Sequence, residues 1–210
     1  ILDLGSGDCW FAEQLLPRLP FGSTITCCDI NFTELDLSTP TARGITKMRE
    51  LPDGRFHIVV LLDVIEHVEN DMDFLQANVR PKLAEGGMVL ISVPAHPYLF
   101  SEHDQFLGHY RRYTRRQLLA TNNTMFTPHE NGYLFVSLAL VRLVQRLLPQ
   151  NRDTDQQGVG SWTSGKPFTK LVTALLSIDA LTSTALRRLR IHLPGLTVWV
   201  SSTGKVVKSQ

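Results

Sequence analysis

The chain has 210 residues, of which 21 are Lys or Arg and 20 are Asp or Glu, so its formal net charge is only +1. The charge is unevenly divided: residues 1–104 hold 7 basic and 16 acidic side chains, whereas residues 105–210 hold 14 basic and 4 acidic ones. This pattern argues against a uniformly basic nucleic-acid-binding protein and against an acidic disordered tail. The hydrophobic share of 43% is that of a packed globular protein.

Short apolar runs alternate with helical stretches in the first half. We predict strands over residues 1–4, 24–28, 56–62 and 88–93, and helices over residues 11–19 and 71–83. Continuous apolar strands separated by helices favour a parallel sheet covered on both faces. Ligands of such sheets bind beyond the carboxyl ends of the strands. Cys9, Cys27 and Cys28 fall in this half and predict buried thiols rather than a disulfide framework.

The second half has a different pattern. Residues 94–113 form a polar and aromatic stretch that predicts a long loop, and Thr114 is a candidate N-cap for a helix over residues 115–120. Residues 150–166 predict another loop, and residues 195–202 predict a closing strand. We expect an α/β core over residues 1–122, preceded by a missing segment, with a helical insertion and closing strands of the same domain over residues 123–210.

The opening residues, ILDLGSGDC, predict a strand, a turn with two glycines and the start of a helix. Glycine tolerates positive φ and lets a ligand approach the backbone, and a helix N-terminus offers unpaired N–H groups. Asp29 stands at the end of the next predicted strand, where a carboxylate can accept hydrogen bonds from both ribose hydroxyls. The segment therefore predicts a site for a cofactor that contains a ribose.

Two classes of cofactor use this arrangement. A dinucleotide fold needs a small residue five positions after the first glycine, and that position is the large Trp10. Asp3 would suit a cationic ligand such as S-adenosylmethionine, which carries a sulfonium and an amino group. A nicotinamide oxidoreductase remains the less favoured alternative.

Four segments resemble the class I S-adenosylmethionine-dependent methyltransferases (of types 11, 12 and 23), namely ILDLGSGDC, CDI at residues 28–30, FHIVVLLDVIEHV at 56–68 and GGMVLISVP at 86–94. Residues 93–118, VPAHPYLFSEHDQFLGHYRRYTRRQL, are similar to a bacterial subgroup often found among genes for glycan or lipid-linked sugar assembly. The resemblance implies an α/β, Rossmann-like fold with a mostly parallel seven-stranded sheet and a helical insertion before the last strand. It also implies S-adenosylmethionine as cofactor and S-adenosylhomocysteine as product.

The resemblance assigns a cofactor-binding role to Asp3, Gly5, Ser6, Gly7, Asp29, Ile30 and Asp63. The glycine turn, Asp3 and Asp63 would surround the methionine part, while Asp29 would hold the ribose and Ile30 the adenine. The sequence departs from the family pattern at Cys9, where a third glycine is usual, and at His57, where an Asp is usual. The acidic residue commonly found near the adenine, around residues 45–49, is also missing.

Methyl transfer to a hydroxyl also requires that the acceptor's proton be removed. His103, Asp104 and His109 lie in the loop after the last parallel strand and are our catalytic candidates. The alternative is that they hold the loop together by hydrogen bonds. We expect His96, Arg111, Arg112 and Tyr113 to bind the acceptor, with an arginine reading an anionic group such as phosphate. The alternative is a surface charge run with a buried tyrosine.

Asp63, Glu66 and His67 could share one face of a helix and ligate a divalent ion, as in some ubiquinone and small-RNA methyltransferases. We favour a helix start and a wall of the cofactor pocket, and predict no metal. No zinc pattern of the Cys-x-x-Cys or His-Glu-x-x-His type is present.

The predicted function is methyl transfer to oxygen or nitrogen of a small-molecule, sugar or lipid-linked acceptor, with no nucleic-acid partner. The alternative is a non-catalytic S-adenosylmethionine-binding module that docks on a membrane or a protein. Residues 135–148 and 168–190 are amphipathic and could form a lid or lie on an anionic membrane surface, although ordinary packing on the sheet is favoured. We expect a bacterial, cytoplasmic protein that can sit at the inner face of the membrane.

Overall fold

The computed structural model of the protein describes residues 1–139, 166–189 and 193–205, and seven strands of this part form one sheet in the order β3-β2-β1-β4-β5-β7-β6. The strands are β1 (Leu2–Leu4), β2 (Ile25–Cys28), β3 (Ile45–Met48), β4 (Phe56–Leu62), β5 (Leu83–Pro94), β6 (Phe126–Leu134) and β7 (Thr197–Gly204).

Six of these strands run in the same direction, and β7 runs antiparallel to them between β5 and β6. The central strands are apolar on both faces: Val59, Val60 and Leu61 of β4 are all at most 2% exposed. Leu4 pairs with Cys28, so β1 and β2 end at the same level of the sheet. The predicted Rossmann-like sheet with flanking helices is therefore confirmed.

Helices lie between the strands. They are α1 (Trp10–Leu15), α2 (Glu34–Ser38), α3 (Asp71–Phe74), α4 (Glu102–Phe106), α5 (Arg115–Asn123) and α6 (Lys166–Arg188). Thr114 caps α5 as predicted: its side chain accepts a hydrogen bond from the Gln117 backbone N–H, and the Gln117 side chain accepts one from the Thr114 backbone N–H. This capping box fixes the direction in which the chain leaves the loop that precedes α5.

Two predicted helices are shorter than expected, and prolines lie in both. The helix predicted over residues 11–19 ends at Leu15 and closes with a 3₁₀ turn that contains Pro17. The helix predicted over residues 71–83 becomes a π turn after Phe74 and then a 3₁₀ turn that contains Pro81. The stretch over residues 94–113, predicted as a loop, contains the short helix α4.

The sheet buries its apolar side chains in two clusters, one around β1, β4, β5 and β7 and a smaller one around α1, β2 and β3. Cys9, Cys27 and Cys28 are free and buried, as predicted, and burial raises the pKa of each thiol. These cysteines therefore act as small apolar side chains.

Helix α6 forms the insertion between β6 and β7. The backbone N–H and the hydroxyl of Ser137 both donate to the Asp179 carboxylate at 2.8 Å, which ties α6 to the segment after β6. The predicted segments over residues 135–148 and 150–166 lie largely outside the described residues, which stop at 139 and resume at 166. Within the described part of the chain, no helix combines the length and apolarity needed to cross a membrane.

Candidate functional site

The turn after β1 and the end of β2 form one hydrogen-bonded unit. The Gly5 N–H donates to the Cys28 carbonyl at 2.7 Å, and the Ser6 N–H lies 3.3 Å from the same oxygen. The Gly7 N–H donates to Asp29 Oδ2 at 2.8 Å, and the Asn31 N–H donates to Asp29 Oδ1 at 2.9 Å. Both carboxylate oxygens of Asp29 are thereby fixed in direction while keeping lone pairs for a ligand.

The two glycines are needed for different reasons. Both have positive φ, +74° at Gly5 and +53° at Gly7. A Cβ at Gly5 would lie 2.6 Å from Val64 Cγ2, whereas a Cβ at Gly7 would meet nothing within 4 Å. Gly5 therefore permits close packing against the end of β4, and Gly7 faces open space where a ligand can approach.

Cys9 occupies the position of the usual third glycine and adopts the backbone of one. Its φ is +64°, in the left-handed region, and its side chain is completely buried at the start of α1. A non-glycine residue in this conformation is strained. The turn therefore keeps its shape despite the substitution.

Asp3 is a buried carboxylate without full compensation. It is 2% exposed, and its Oδ2 has no hydrogen-bond partner among the residues that the structure describes. Burial, with a further contribution from the charge of Asp29, raises the pKa of Asp3 to about 6. A cationic ligand beside Asp3 would favour its ionised form.

Asp63 lies directly after β4 in a strained backbone conformation, with φ of +54°. Its N–H donates to the Ser92 carbonyl at 3.0 Å, and its side chain is solvent-accessible. Desolvation of the carboxylate raises the pKa of Asp63, although the charge of His109 opposes the shift. Asp63 thus lies at the carboxyl end of β4, and its neighbour Val64 packs against the turn that follows β1. Ile30, next to Asp29, is an apolar side chain that is 84% exposed.

The loop over residues 94–113 is organised by Asp104. This residue is fully buried, and its Oδ1 accepts hydrogen bonds from His109 Nδ1 at 3.0 Å and from Arg112 Nε at 2.7 Å. Its Oδ2 accepts from the N–H of Ser101 at 2.9 Å and from the Ser101 hydroxyl at 3.0 Å. Burial alone would raise the pKa of Asp104, but these bonds to Arg112 and His109 hold it below its ordinary value.

The structure therefore brings together Asp104, His109 and Arg112. His103 lies on α4 next to Asp104 but is not part of these hydrogen bonds. Arg112 Nη1 also donates to the Ala95 carbonyl at 3.3 Å, which joins this group to the end of β5.

Arg111 and Tyr113 are held by residues near the start of α3. Arg111 donates to the Glu69 carbonyl, and its Nη1 lies 3.6 Å from Asp71 Oδ2. Tyr113 is 2% exposed, and its hydroxyl donates to Asp71 Oδ2 at 2.8 Å. Burial and the bond to Asp71 raise the pKa of Tyr113.

His96 follows β5 in another strained conformation, with φ of +65°. Its ring is stacked on Tyr133 at a centroid distance of 5.5 Å and lies 5.3 Å from the ring of Tyr98. Burial lowers the pKa of His96, which favours its neutral form near neutral pH. Its Nε2 is buried and has no hydrogen-bond partner in the described part of the chain.

Glu66 is one of the residues that the sequence analysis considered as a metal ligand and favoured as part of a wall of the cofactor pocket. It is completely buried, and within the described part of the chain neither carboxylate oxygen has a hydrogen-bond partner. Burial, together with the charge of Asp63, raises the pKa of Glu66 to about 9. In the sequence, Glu66 is marked by its position three residues after Asp63, which predicts that both lie on one face of a helix. The structure has a 3₁₀ turn over Ile65–His67 at this place instead of the expected helix start. His67 and His109 lie beside it, with ring centroids 4.6 Å apart.

Comparisons with known proteins agree with this geometry. The family described as "Methyltransferase domain" matches residues 1–174, which is most of the chain. No curated protein matches the sequence significantly.

Solved structures are similar in fold. One is an S-adenosylmethionine-dependent methyltransferase from Mesorhizobium loti, with a TM-score of 0.58, 15% identity, and coverage of 96% of this chain and 89% of that one. Another is a methyltransferase of the same cofactor class from Archaeoglobus fulgidus, with a TM-score of 0.53, 14% identity, and coverage of 96% and 84%. The family match and the cofactor-type turn at β1 and β2 together show that the chain belongs to the S-adenosylmethionine-dependent methyltransferases.

Proposed function

We propose that the protein transfers the methyl group of S-adenosylmethionine to an oxygen or nitrogen atom of a small-molecule, sugar or lipid-linked acceptor. The observation that carries the proposal is the Asp29 carboxylate, fixed at the end of β2 by the N–H groups of Gly7 and Asn31. A carboxylate so placed can accept hydrogen bonds from both hydroxyls of a ribose.

The residues on the donor side fit the cofactor. The buried Asp3, whose Oδ2 has no hydrogen-bond partner among the described residues, and the exposed Asp63 would provide negative charge for the amino and sulfonium groups. The exposed Ile30 would provide an apolar surface for the adenine, and the turn from Gly5 to Gly7 would hold the methionine part. When bound, the cofactor supplies an electrophilic methyl carbon on a positively charged sulfur.

The acceptor side is formed by the loop over residues 94–113. An acceptor oxygen or nitrogen that takes the methyl group must also give up a proton, so this side of the site needs a group placed to receive it. Asp104 holds the His109 ring through Nδ1, so the other ring nitrogen is left to act at the acceptor. His103, on the same helix as Asp104, is proposed as an additional contact to the acceptor.

His96 and the Tyr110–Tyr113 segment are proposed to recognise the rest of the acceptor. His96 has an unused ring nitrogen between two tyrosines, an arrangement that suits a polar ring such as a sugar. The hydrogen bonds of Arg112 involve Nε and Nη1, which leaves Nη2 for an anionic group. Arg111 and Tyr113 hold this part of the loop against Asp71.

Helix α6 supports a lipid-linked acceptor. Two large apolar side chains of this helix are exposed, Ile178 at 59% and Leu181 at 72%. Leu189, which follows the last residue of the helix, is 70% exposed. An amphipathic helix of this kind can lie in a membrane interface. We propose that residues 168–190 contact the membrane from which such an acceptor would be taken.

A non-catalytic cofactor-binding module is the second candidate. It is favoured by the internal partners of Asp104, Arg111 and Tyr113, which give these side chains a structural use in the loop. Calorimetry with S-adenosylmethionine, followed by transfer of a radiolabelled methyl group, separates the two. The acceptor panel contains hexoses, hexose phosphates and polyprenyl-phosphate sugars.

Micromolar cofactor binding and labelled product with one acceptor class would support the enzyme. Tight binding without any labelled product would favour the module, and an absence of binding would contradict both proposals.

A further inference from the structure

Three side chains with metal-ligating atoms meet just beyond the end of β4. One ligand atom from each of Glu66, His67 and His109 can be chosen so that all three lie within 4.8 Å of one another. We propose that this cluster binds a divalent transition-metal ion next to the methyl-donor site.

Glu66 is the first reason. Its carboxylate is completely buried, and no group of the described residues 1–139, 166–189 and 193–205 forms a hydrogen bond to either oxygen. Buried carboxylates are normally hydrogen-bonded, paired with a cation or bound to a metal, because desolvation without compensation is costly. Arg112 donates through Nε and Nη1 to Asp104 and to the Ala95 carbonyl, and although its charge lowers the pKa of Glu66, burial outweighs that effect.

His109 is oriented as a metal ligand. Asp104 Oδ1 lies 3.0 Å from His109 Nδ1 and fixes the ring, so Nε2 remains for an ion. Metal-bound histidines commonly have a carboxylate on the second ring nitrogen, which sets both the tautomer and the direction of the ring. Asp104 would thus be a positioning residue for the ion.

The two chain segments that supply the ligands are joined to each other. The Tyr110 N–H donates to the Glu66 carbonyl at 2.8 Å, so the residue after His109 is fixed to the 3₁₀ turn that carries Glu66 and His67. The His67 and His109 rings are in edge-to-face contact, with an angle of 83° between them. The ligands are therefore already close together.

The ligand types indicate the class of ion. Two imidazoles and one carboxylate suit ions such as Zn²⁺, Mn²⁺ or Fe²⁺ better than Mg²⁺ or Ca²⁺, which prefer oxygen ligands. Two ligands about 2.1 Å from one ion are at most about 4.2 Å apart, which is close to the 4.8 Å within which these three ligand atoms lie. Three protein ligands leave at least one position for another oxygen.

The position next to Asp63 suggests a role that rests on the proposed methyl transfer. An acceptor hydroxyl bound in the open position would lose its proton more easily, because the ion stabilises the resulting oxyanion. The proton passes to solvent, and the oxygen then attacks the methyl carbon. The lone pair of His109 Nε2 cannot hold an ion and accept a proton together, so the ion replaces direct proton removal by His109.

The test uses the whole chain, stripped with a chelator, dialysed and titrated separately with Zn²⁺, Mn²⁺ and Mg²⁺ in a calorimeter. We expect one equivalent of Zn²⁺ or Mn²⁺ and much weaker binding of Mg²⁺. The substitutions Glu66→Gln and His67→Asn should each weaken binding at least about 100-fold, and Asp104→Asn about 10–100-fold. His57→Asn, which changes an exposed histidine on β4 outside the cluster, should leave it unchanged.

His67 is exposed, so His67→Asn keeps the test decisive if Glu66→Gln fails to fold. Substitution of Co²⁺ should give visible absorption bands that disappear in His67→Asn. Absence of stoichiometric binding, or equal affinity in His67→Asn and His57→Asn, would overturn the metal site. S-adenosylmethionine affinity, measured without added ion, tests the proposed function separately, because its residues do not include Glu66 or His67.

Discussion

The Gly7 backbone N–H donates to Asp29 Oδ2 at 2.8 Å and so joins the turn after β1 to the end of β2. The two residues are 22 positions apart in sequence, and the parallel pairing of Leu4 with Cys28 brings them together. Asp29 is therefore held in place before any ligand arrives. Preorganisation of this kind reduces the entropic cost of binding.

The first prediction concerns the ribose contact. Asp29→Ala removes a carboxylate that can form two charge-assisted hydrogen bonds, each of which contributes about 1.5–3 kcal/mol. We expect S-adenosylmethionine affinity, measured by calorimetry, to fall at least about 100-fold. Asp53→Ala, a change at an exposed turn, is the matched control. Equal affinity in both variants would rule out the ribose role of Asp29.

The second prediction concerns the stability effect of Asp3. The pKa of Asp3 is about 6 in the folded protein against an ordinary 3.8, so the folded state holds this proton more tightly than the unfolded state. The raised pKa of Asp3 therefore contributes its full amount to the free energy of unfolding below about pH 4. This contribution is lost as the pH rises through about 6, and above that pH the free energy of unfolding no longer changes on account of Asp3. A shift of this size corresponds to about 3 kcal/mol. Asp29 and the thiols of Cys9 and Cys27 are the neighbouring titratable groups.

Asp3→Asn should consequently raise the melting temperature of the cofactor-free protein at pH 8, by an amount that disappears near pH 4. The same substitution should weaken S-adenosylmethionine binding, because it removes negative charge beside a cation. In the unsubstituted protein, cofactor affinity should fall as the pH is lowered through 6. A melting temperature at pH 8 that is unchanged or lower in Asp3→Asn would contradict this account.

The third prediction distinguishes the two glycines of the turn. Both Gly5→Ala and Gly7→Ala place a side chain at positive φ, which costs about 1 kcal/mol. Only Gly5→Ala also creates a 2.6 Å contact with Val64, so it should lower the melting temperature more. Gly7→Ala should keep most of the stability and mainly reduce cofactor affinity, because its methyl group enters open space beside Asp29. Equal loss of stability in the two variants would show that the Val64 contact does not matter.

The central strands could be predicted from the sequence because they are apolar on both faces, as at Val59–Leu61. Two edge strands could not. Only Ile45 is fully buried in β3, and β6 contains Pro128, Glu130 and Gly132 with an irregular pairing between Pro128 and Glu130. Edge strands pair on one side and tolerate polar residues, so their sequences resemble loops.

The donor side of the site was also predictable, since Gly7 and Asp29 are placed by strand ends and a known spacing. The acceptor side was not. The contact of Asp104 with His109 depends on a turn at Gly108, where φ is +76°, and the isolation of Glu66 depends on which segments cover it. Such contacts arise from tertiary packing, and the pattern of residue types does not determine them.

The fourth prediction uses the strained cysteine of the turn. At an ordinary buried position Ala is more stable than Gly, because glycine loses more conformational entropy on folding. Cys9 has φ of +64°, so Cys9→Gly relieves strain that Cys9→Ala retains. We expect Cys9→Gly to be at least as stable as Cys9→Ala in denaturant unfolding. The usual order, with alanine more stable by about 1 kcal/mol, would show that the backbone strain is negligible.

The last prediction concerns the fully buried Asp104. The Asp104 carboxylate accepts hydrogen bonds from His109, Arg112 and Ser101. Asp104→Asn removes its negative charge and so leaves the positive charge of Arg112 without its partner. Breaking a buried ion pair costs about 3–5 kcal/mol, which lowers the melting temperature of a chain of this size by about 6–20 °C. Because hydrogen bonds hold the pKa of Asp104 below its ordinary value, this stabilisation is present near neutral pH and is lost under acidic conditions.

Hydrogen exchange locates the effect of Asp104→Asn. The amides of residues 108–113 should exchange faster, because the contacts that hold the loop are lost, while those of β1 and β2 should be unchanged. S-adenosylmethionine affinity should also be retained, since Gly7 and Asp29 lie at the other strand ends. Glu102→Gln, an exposed change on the same helix, is the matched control. If Asp104→Asn is as stable as Glu102→Gln, the buried carboxylate does not hold the loop together.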